Sequence, residues 1–288
     1  MGILNSLISD ARVALSARGD ELRIDNLILG KTLYTMKGCD SVFTDMNFCL
    51  VLLENAYGFA YFQEDIDYSL SKFVNKGALD VIEQTPIYMQ VAITDALYCL
   101  INKQKFAEPS RFLGNIRQKA ESRARLLLEH IPNKSKILLL GAASEIIEEA
   151  KRKKCELKVL DLETQKFGIE VCSVHVDDGQ NSDLRREIEY ADYIVATGMI
   201  FVSRTAEKIF EISAEKNKSM TLYMETGSNF GPQLLDYGAD VILSEFFPYY
   251  DFFGDSKYLL FKKEKGWVSE SNCSGQSKKR GQESNLSI

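Results

Sequence analysis

Small, hydroxyl-bearing and acidic residues recur in this sequence wherever a short apolar run stops. Gly141-Ala142-Ala143-Ser144 follows KILLL, Asp161 closes ELKVLD, and Asp177-Asp178 open a short acidic loop after CSVHV. Thr197-Gly198 end DYIVATG, and Glu225-Thr226-Gly227-Ser228-Asn229 follow MTLYM. A carboxylate in such a place can hold a ribose diol, a metal or a proton. A hydroxyl can bond a ligand, and a glycine lets the ligand approach the backbone.

Asp161 lies twenty residues after Gly141, the separation at which an acidic side chain meets the ribose of a dinucleotide or of S-adenosylmethionine. The first loop holds one glycine where the dinucleotide fingerprint needs three, so a pyrophosphate cradle is not supplied. The other reading makes Asp161 the cap of the turn after its strand. Ser203 and Thr205 flank Arg204 at the start of an amphipathic stretch, where either hydroxyl can cap a helix spanning residues 204–216 or face a ligand. Glu225 suits a base, a metal ligand or a cap acid. The candidate ligand-binding set is therefore Gly141, Ser144, Asp161, Thr197, Gly198, Ser203, Thr205, Glu225, Thr226, Gly227 and Ser228.

Other groups carry less. His175 sits inside a strand pattern, and His130 ends a helical one, where its charge suits the dipole. Cys39, Asp40 and Asp45 cluster in sequence as a weak metal candidate. Six aromatics fall within residues 246–253, a core-closing segment, a pocket wall or an interface through which two copies would pair.

The elements that must position these residues form two regions split near Pro132. Residues 1–131 read as a small α+β domain: an amphipathic N-terminal helix, an extended stretch over 22–38, and two strands joined at Glu54-Asn55-Ala56. A broken helical stretch over 65–84 follows, then a helix opened by Pro86 at its first position, with Asp95 the odd polar residue on an apolar surface. A further helix covers residues 110–130. Residues 132–268 alternate strand and helix in the doubly wound manner, with KILLL as a central parallel strand, CSVHV as a strand and KYLLFKKE as an edge strand. The fold class is thus α/β: a Rossmann-like, mostly parallel sheet after a smaller α+β domain. Residues 269–288 lack apolar periodicity and read as a disordered tail.

Composition removes several function classes. Two histidines exclude a multi-histidine metal hydrolase, and a net charge of −6 argues against a nucleic-acid surface. No apolar stretch reaches membrane-spanning length, and the charged N-terminal helix is unlike a signal peptide. Met1-Gly2 with Ser6 meets only the minimal myristoylation pattern. Six cysteines without a CxxC pair point to free thiols in the cytoplasm.

Four segments together carry a resemblance. ADYIVATGMIFVSRTAEKIFEI, GPQLLDYGADVI, the Gly-x-Ala strand AYGFAYF and the helix PIYMQVAITDALYCLIN resemble, in order, the heavy-metal chelation family. The resemblance implies a Rossmann-like C-terminal domain behind an enolase N-terminal-like domain, and a divalent metal or metal chelate as ligand. Asp95 and Ser203 stand where that family has Asn, Arg204 where it has Gly, and Glu225-Thr226-Gly227 where it has Gly-Pro-Thr. The Gly after its last strand is missing from LSEFFPY. The expected function is binding or processing of a small metabolite or metal chelate in the cleft between the domains. The alternatives are an enzyme using a nucleoside cofactor such as S-adenosylmethionine, and a scaffold subunit docking through the aromatic segment.

Overall fold

The computed structural model describes residues 2–16, 22–35, 43–103, 108–163, 166–247 and 255–263. Helix α1 (Ile3–Ser16) buries Leu7, Ile8, Ala11 and Leu15 at helical spacing. Strands β1 (Asn26–Thr35), β2 (Phe43–Leu53) and β3 (Ala56–Phe62) form an antiparallel meander in the order β1-β2-β3. The turn between β2 and β3 takes two residues, with Glu54 at φ 50°. The stretch expected to be helical over 65–84 is a 3-10 turn at Tyr68–Phe73, the single turn α2 (Ala78–Val81), and another 3-10 turn at Ile82–Gln84. Four residues in α2 leave most of its terminal backbone groups outside intrahelical bonds.

Helix α3 (Ile87–Asn102) begins one residue later than expected. Pro86 is its extended N-cap, with ψ 158° rather than a helical value. The helix is buried nearly all round and packs on β3, where a Cβ on Gly58 would lie 2.0 Å from the Ala92 carbonyl oxygen. That approach is open only to glycine.

The helix expected over 110–130 is two elements. Ser110–Phe112 is strand β4, and α4 (Ile116–Leu128) starts at a capping box in which Asn115 and Gln118 bond each other's backbone N–H. Strands β5 (Lys136–Leu140), β6 (Glu156–Asp161), β7 (Glu170–Val171), β8 (Val174–Asp178), β9 (Tyr193–Thr197), β10 (Ser219–Met224), β11 (Val241–Glu245) and β12 (Ser256–Lys262) complete a nine-stranded sheet of order β4-β12-β11-β10-β9-β5-β6-β8-β7. Strands β11, β10, β9, β5, β6 and β8 are mutually parallel; β12 and β7 run against them on the two sides, and β4, outside β12 and antiparallel to it, runs with them. Read in chain order, the six parallel strands give the doubly wound arrangement, with the switch point between β5 and β9.

Several local readings are corrected. Strand β12 is not an edge, because β4 pairs outside it. Cys172 does not begin a strand: with Ser173 it forms the left-handed turn between β7 and β8, at φ 51° and 60°. Asp177 and Asp178 belong to β8 rather than to a loop. Helices α5 (Ser144–Arg152), α6 (Leu184–Tyr190), α7 (Met199–Val202), α8 (Ala206–Glu215) and α9 (Leu234–Tyr237) complete the structure. The helix expected from residue 204 starts at Ala206, because Arg204 takes φ 59° and interrupts it after the extra turn α7.

Helices α4 and α5 cover one face of the large sheet, in a core with Leu127, Ile137, Leu139 and Ile147. The other face shares one core with α1 and α3, through Leu97, Ile194, Phe201, Leu222 and Phe230. Residues 110–131 thus lie before Pro132 yet build the large sheet and its covering layer. Phe247 stacks on Phe59 with ring centroids 4.8 Å apart, and Tyr57 donates to the Phe247 carbonyl at 2.8 Å. The rest of the aromatic segment past 247, Cys39 and Asp40, and the expected tail lie outside the described residues. Among the described residues Cys49, Cys99, Cys155 and Cys172 are free thiols, and no helix is long and apolar enough to cross a membrane.

Candidate functional site

The carboxyl ends of the parallel strands open into a cavity of about 1090 Å³ at the switch point. Helix α4 closes one side through Ile116, Lys119, Ala120 and Arg123, spaced so that they share a helix face. The N-terminal turn of α5 supplies Ser144 and Glu145, α7 and α8 supply Met199, Ile200 and Ile209, and the meander covers the mouth with Thr32, Met46 and Tyr61.

Seven of the expected residues line this space: Gly141, Ser144, Asp161, Thr197, Ser203, Thr205 and Glu225. Gly141 takes φ +104°, and a Cβ there would meet Thr197 at 3.3 Å, so glycine both makes the turn and leaves the cavity floor open. The other four turn elsewhere. The Gly198 N–H donates to the Tyr223 carbonyl at 2.9 Å, and the Gly227 N–H to that of Phe59 at 3.1 Å. Thr226 Oγ1 accepts from the Tyr61 N–H at 3.0 Å, and the Ser228 hydroxyl is fully buried with no hydrogen-bond partner. Thr226, Gly227 and Ser228 fasten the end of β10 to the meander and α3; they do not line the cavity.

Asp161 serves the loops. Its Oδ2 accepts from the Ala142 N–H at 2.8 Å, its Oδ1 from the Glu163 N–H at 2.9 Å, and Lys166 Nζ lies 3.3 Å away. The turn-capping reading of Asp161 is therefore occupied on both oxygens. Burial works against the charge of Lys166, but Asp161 and Glu163 outweigh it and raise its pKa. Thr205 stands at the N-cap of α8 without capping it. Its hydroxyl instead lies 2.8 Å from that of Ser203, both above the Ile200 carbonyl. The αR backbone of Thr205, ψ −13°, points its side chain away from the helix N–H groups.

Glu225 sits in the most charged part of the wall. The Tyr223 hydroxyl hydrogen-bonds with Glu225 Oε1 and lies 2.8 Å from Glu245 Oε2. Arg123 grips Glu245 with Nε and with Nη2, the latter at 2.9 Å, and its Nη1 is 3.5 Å from Glu145. The guanidinium also lies over the Tyr223 ring, 5.3 Å from the centroid. Burial, with Glu245 and Glu145 nearby, pushes the Glu225 pKa up to about 8 against the pull of Arg123 and Tyr223. Burial likewise raises the Tyr223 phenol, and Glu225 and Glu245 add to it. Part of the Glu225 surface still opens on the cavity. The arrangement can present a neutral carboxylic acid to a ligand at neutral pH and exchange its proton.

Sequence reasoning finds Glu225 but misses Arg123, Tyr223, Glu145 and Glu245. Arg123 and Glu145 resemble solvated helix charges, and Tyr223 and Glu245 fall inside apolar strands. The one available signal is Glu245, a carboxylate closing a buried strand as Glu225 follows another. The histidines lie apart from the cavity. His130 follows α4, with Nε2 2.8 Å from Thr221 Oγ1, and burial lowers its pKa. His175 is exposed on β8, 3.6 Å from Asp177. Among the described residues no three His, Cys, Asp or Glu side chains are grouped to hold a metal ion. The side chains of the cavity therefore do not fit a bare ion.

No protein-family model matches this chain, and no curated protein matches it. Among the solved structures similar to it are two from the DUF364 family. One is a protein of unknown function from the DUF364 family of Desulfitobacterium hafniense DCB-2, 11% identical, with TM-score 0.56 over 90% of this chain and 99% of that one. The other is a DUF364 protein of unknown function from Pyrococcus horikoshii, 13% identical, with TM-score 0.54 and the same coverage. These likenesses show the fold, a two-domain α/β architecture.

Proposed function

We propose that the protein binds or processes a small metabolite, free or as a metal chelate, in the cleft between the parallel sheet and the meander. The observation that carries this reading is the cavity at the switch point, where strand ends, two helix layers and the meander converge around Glu225. Open α/β sheets bind ligands at this place because strand-end loops and helix N-termini face it. A metal reaches such a cavity already wrapped in its chelator, since the side chains present no ion-binding set.

Native mass spectrometry of protein purified from cells grown with transition metals tests the reading. A retained small molecule, displaced when Ala120→Trp fills the cavity, is the expected result. If metal is absent from every retained species and no divalent ion shifts the melting temperature, the chelate version is lost and the metabolite version stands.

The nucleoside reading takes second place, on the Asp161 position at the end of β6. Calorimetric titration with S-adenosylmethionine, NAD and ATP addresses it. Each Asp161 oxygen already accepts one loop N–H and keeps a further lone pair, so this reading expects an affinity that Asp161→Ala abolishes, and an unchanged affinity rules the ribose role out.

A further inference from the structure

The charges lining the cavity are unevenly engaged. Four basic side chains face it, and each has partners: Arg117 with Glu121 at 2.8 Å, Arg123 with Glu245 and Glu145, Lys166 with Glu163 at 2.7 Å and Asp161, and Lys119 likewise. An anionic ligand therefore meets no uncommitted cation. Six carboxyl groups line the same space, Glu225 among them, and burial first of all suppresses the charge of Glu225.

The elements around Glu225 explain why. Helix α4 brings Arg123, whose nitrogens are spent on Glu245 and Glu145; α5 brings Glu145; β11 brings Glu245; and β10 brings the Tyr223 phenol. Tyr223 owns one hydrogen and touches an oxygen of each carboxyl group. If it donates to Glu245, the contact with Glu225 Oε1 needs a hydrogen from Glu225 itself. One hydrogen cannot serve both contacts, and Arg123 already holds Glu245, so the second hydrogen falls to Glu225, where burial and the neighbouring carboxyl groups favour it until a positive charge arrives.

We propose that the cavity takes a small organic ammonium ion, an amine on an apolar body, with the Glu225 carboxylate as its counter-ion, and that binding expels the Glu225 proton to solvent. This rests on the cavity being the ligand site. The ammonium ion and the protonated Glu225 give an ion pair and one released proton, with no other bond made or broken. Leu140, Leu184, Met199 and Ile200 supply the apolar walls for the body of the ligand.

Calorimetry with n-butylamine, and with butanol and butyrate as neutral and anionic counterparts, tests this in buffers of different ionisation enthalpy. The amine is expected to bind at least about tenfold more tightly than either counterpart, the scale of one charge-assisted hydrogen bond. About one proton leaves per amine below the Glu225 midpoint of about 8, and none well above it. Glu225→Gln, the neutral isostere of the protonated acid, should keep the fold, lose at least about tenfold in amine affinity and abolish proton release. Butyrate or butanol binding as tightly as the amine, or amine binding unchanged in Glu225→Gln, overturns the proposal. If no probe binds while Ala120→Trp still displaces a copurifying molecule, the ammonium inference fails and the cavity reading stands. If Ala120→Trp displaces nothing, both fail.

Discussion

Tyr223 holds together two carboxyl groups that would otherwise repel each other across a buried wall. Its hydroxyl bonds Glu225 and Glu245, while Arg123 neutralises Glu245 from the other side. Removing only that hydroxyl leaves Glu225 without this partner and Glu245 with one donor fewer. Tyr223→Phe should therefore lower the unfolding free energy by about 1–3 kcal/mol, the range for orphaning a buried polar group. Urea unfolding at neutral pH measures it. A variant as stable as the wild type would mean that a cavity water replaces the phenol. The same residue shows why the site is hard to find in the chain: within MTLYM a tyrosine reads as one more core aromatic. Its hydroxyl acquires meaning only once β11 and α4 bring Glu245 and Arg123 beside it.

Gly58 decides how the meander meets the rest of the molecule. Strand β3 passes so close to α3 that a methyl group would lie 2.0 Å from the Ala92 oxygen and 2.2 Å from the Ala96 nitrogen. Neither atom can move without breaking a helix, so Gly58→Ala should cost about 3 kcal/mol, at the upper end for overpacking. Thermal unfolding by circular dichroism reports that loss, and a change under about 0.5 kcal/mol would show that α3 slides without penalty. Elements of this kind are legible in sequence where one face of the pattern is simple. The five-residue run KILLL announces a parallel strand, whereas the need for glycine at position 58 shows only once α3 lies on β3. Short elements are not legible. Ser110–Phe112 earns its strand by pairing with β12, more than a hundred residues away in the chain, and Arg204 breaks a helix that its neighbours favour. Thr226, Gly227 and Ser228 have the composition of a ligand loop, yet tertiary packing spends them on Phe59, Tyr61 and the core.

Asp95 shows how the halves of the molecule are joined. It lies fully buried on α3 and accepts from the Phe59 N–H of β3 at 2.9 Å, from the Asn229 N–H at 2.6 Å and from Asn229 Nδ2 at 3.1 Å. One carboxyl group thereby ties the meander, α3 and the 3-10 turn Ser228–Gln233 after β10, which follows Glu225 at the cavity wall. Burial raises its pKa to about 7, against the hydrogen bonds that favour its charge. The folded state therefore keeps a proton that the unfolded chain loses near pH 4. By linkage, the contribution of Asp95 to stability is fully present below that pH and declines as pH rises through about 7. Asp95→Asn places a neutral amide there, removes the titration and retains one acceptor oxygen. Other titrating groups, Glu225 included, stay in both proteins and cancel in the difference. The stability of wild type minus that of Asp95→Asn should therefore fall with pH between about 4 and about 7, by up to about 1.4 kcal/mol per pH unit, and level off above. Parallel urea titrations across that interval measure the difference. A flat difference would mean that Asp95 stays ionised throughout, with the three N–H donors outweighing its burial.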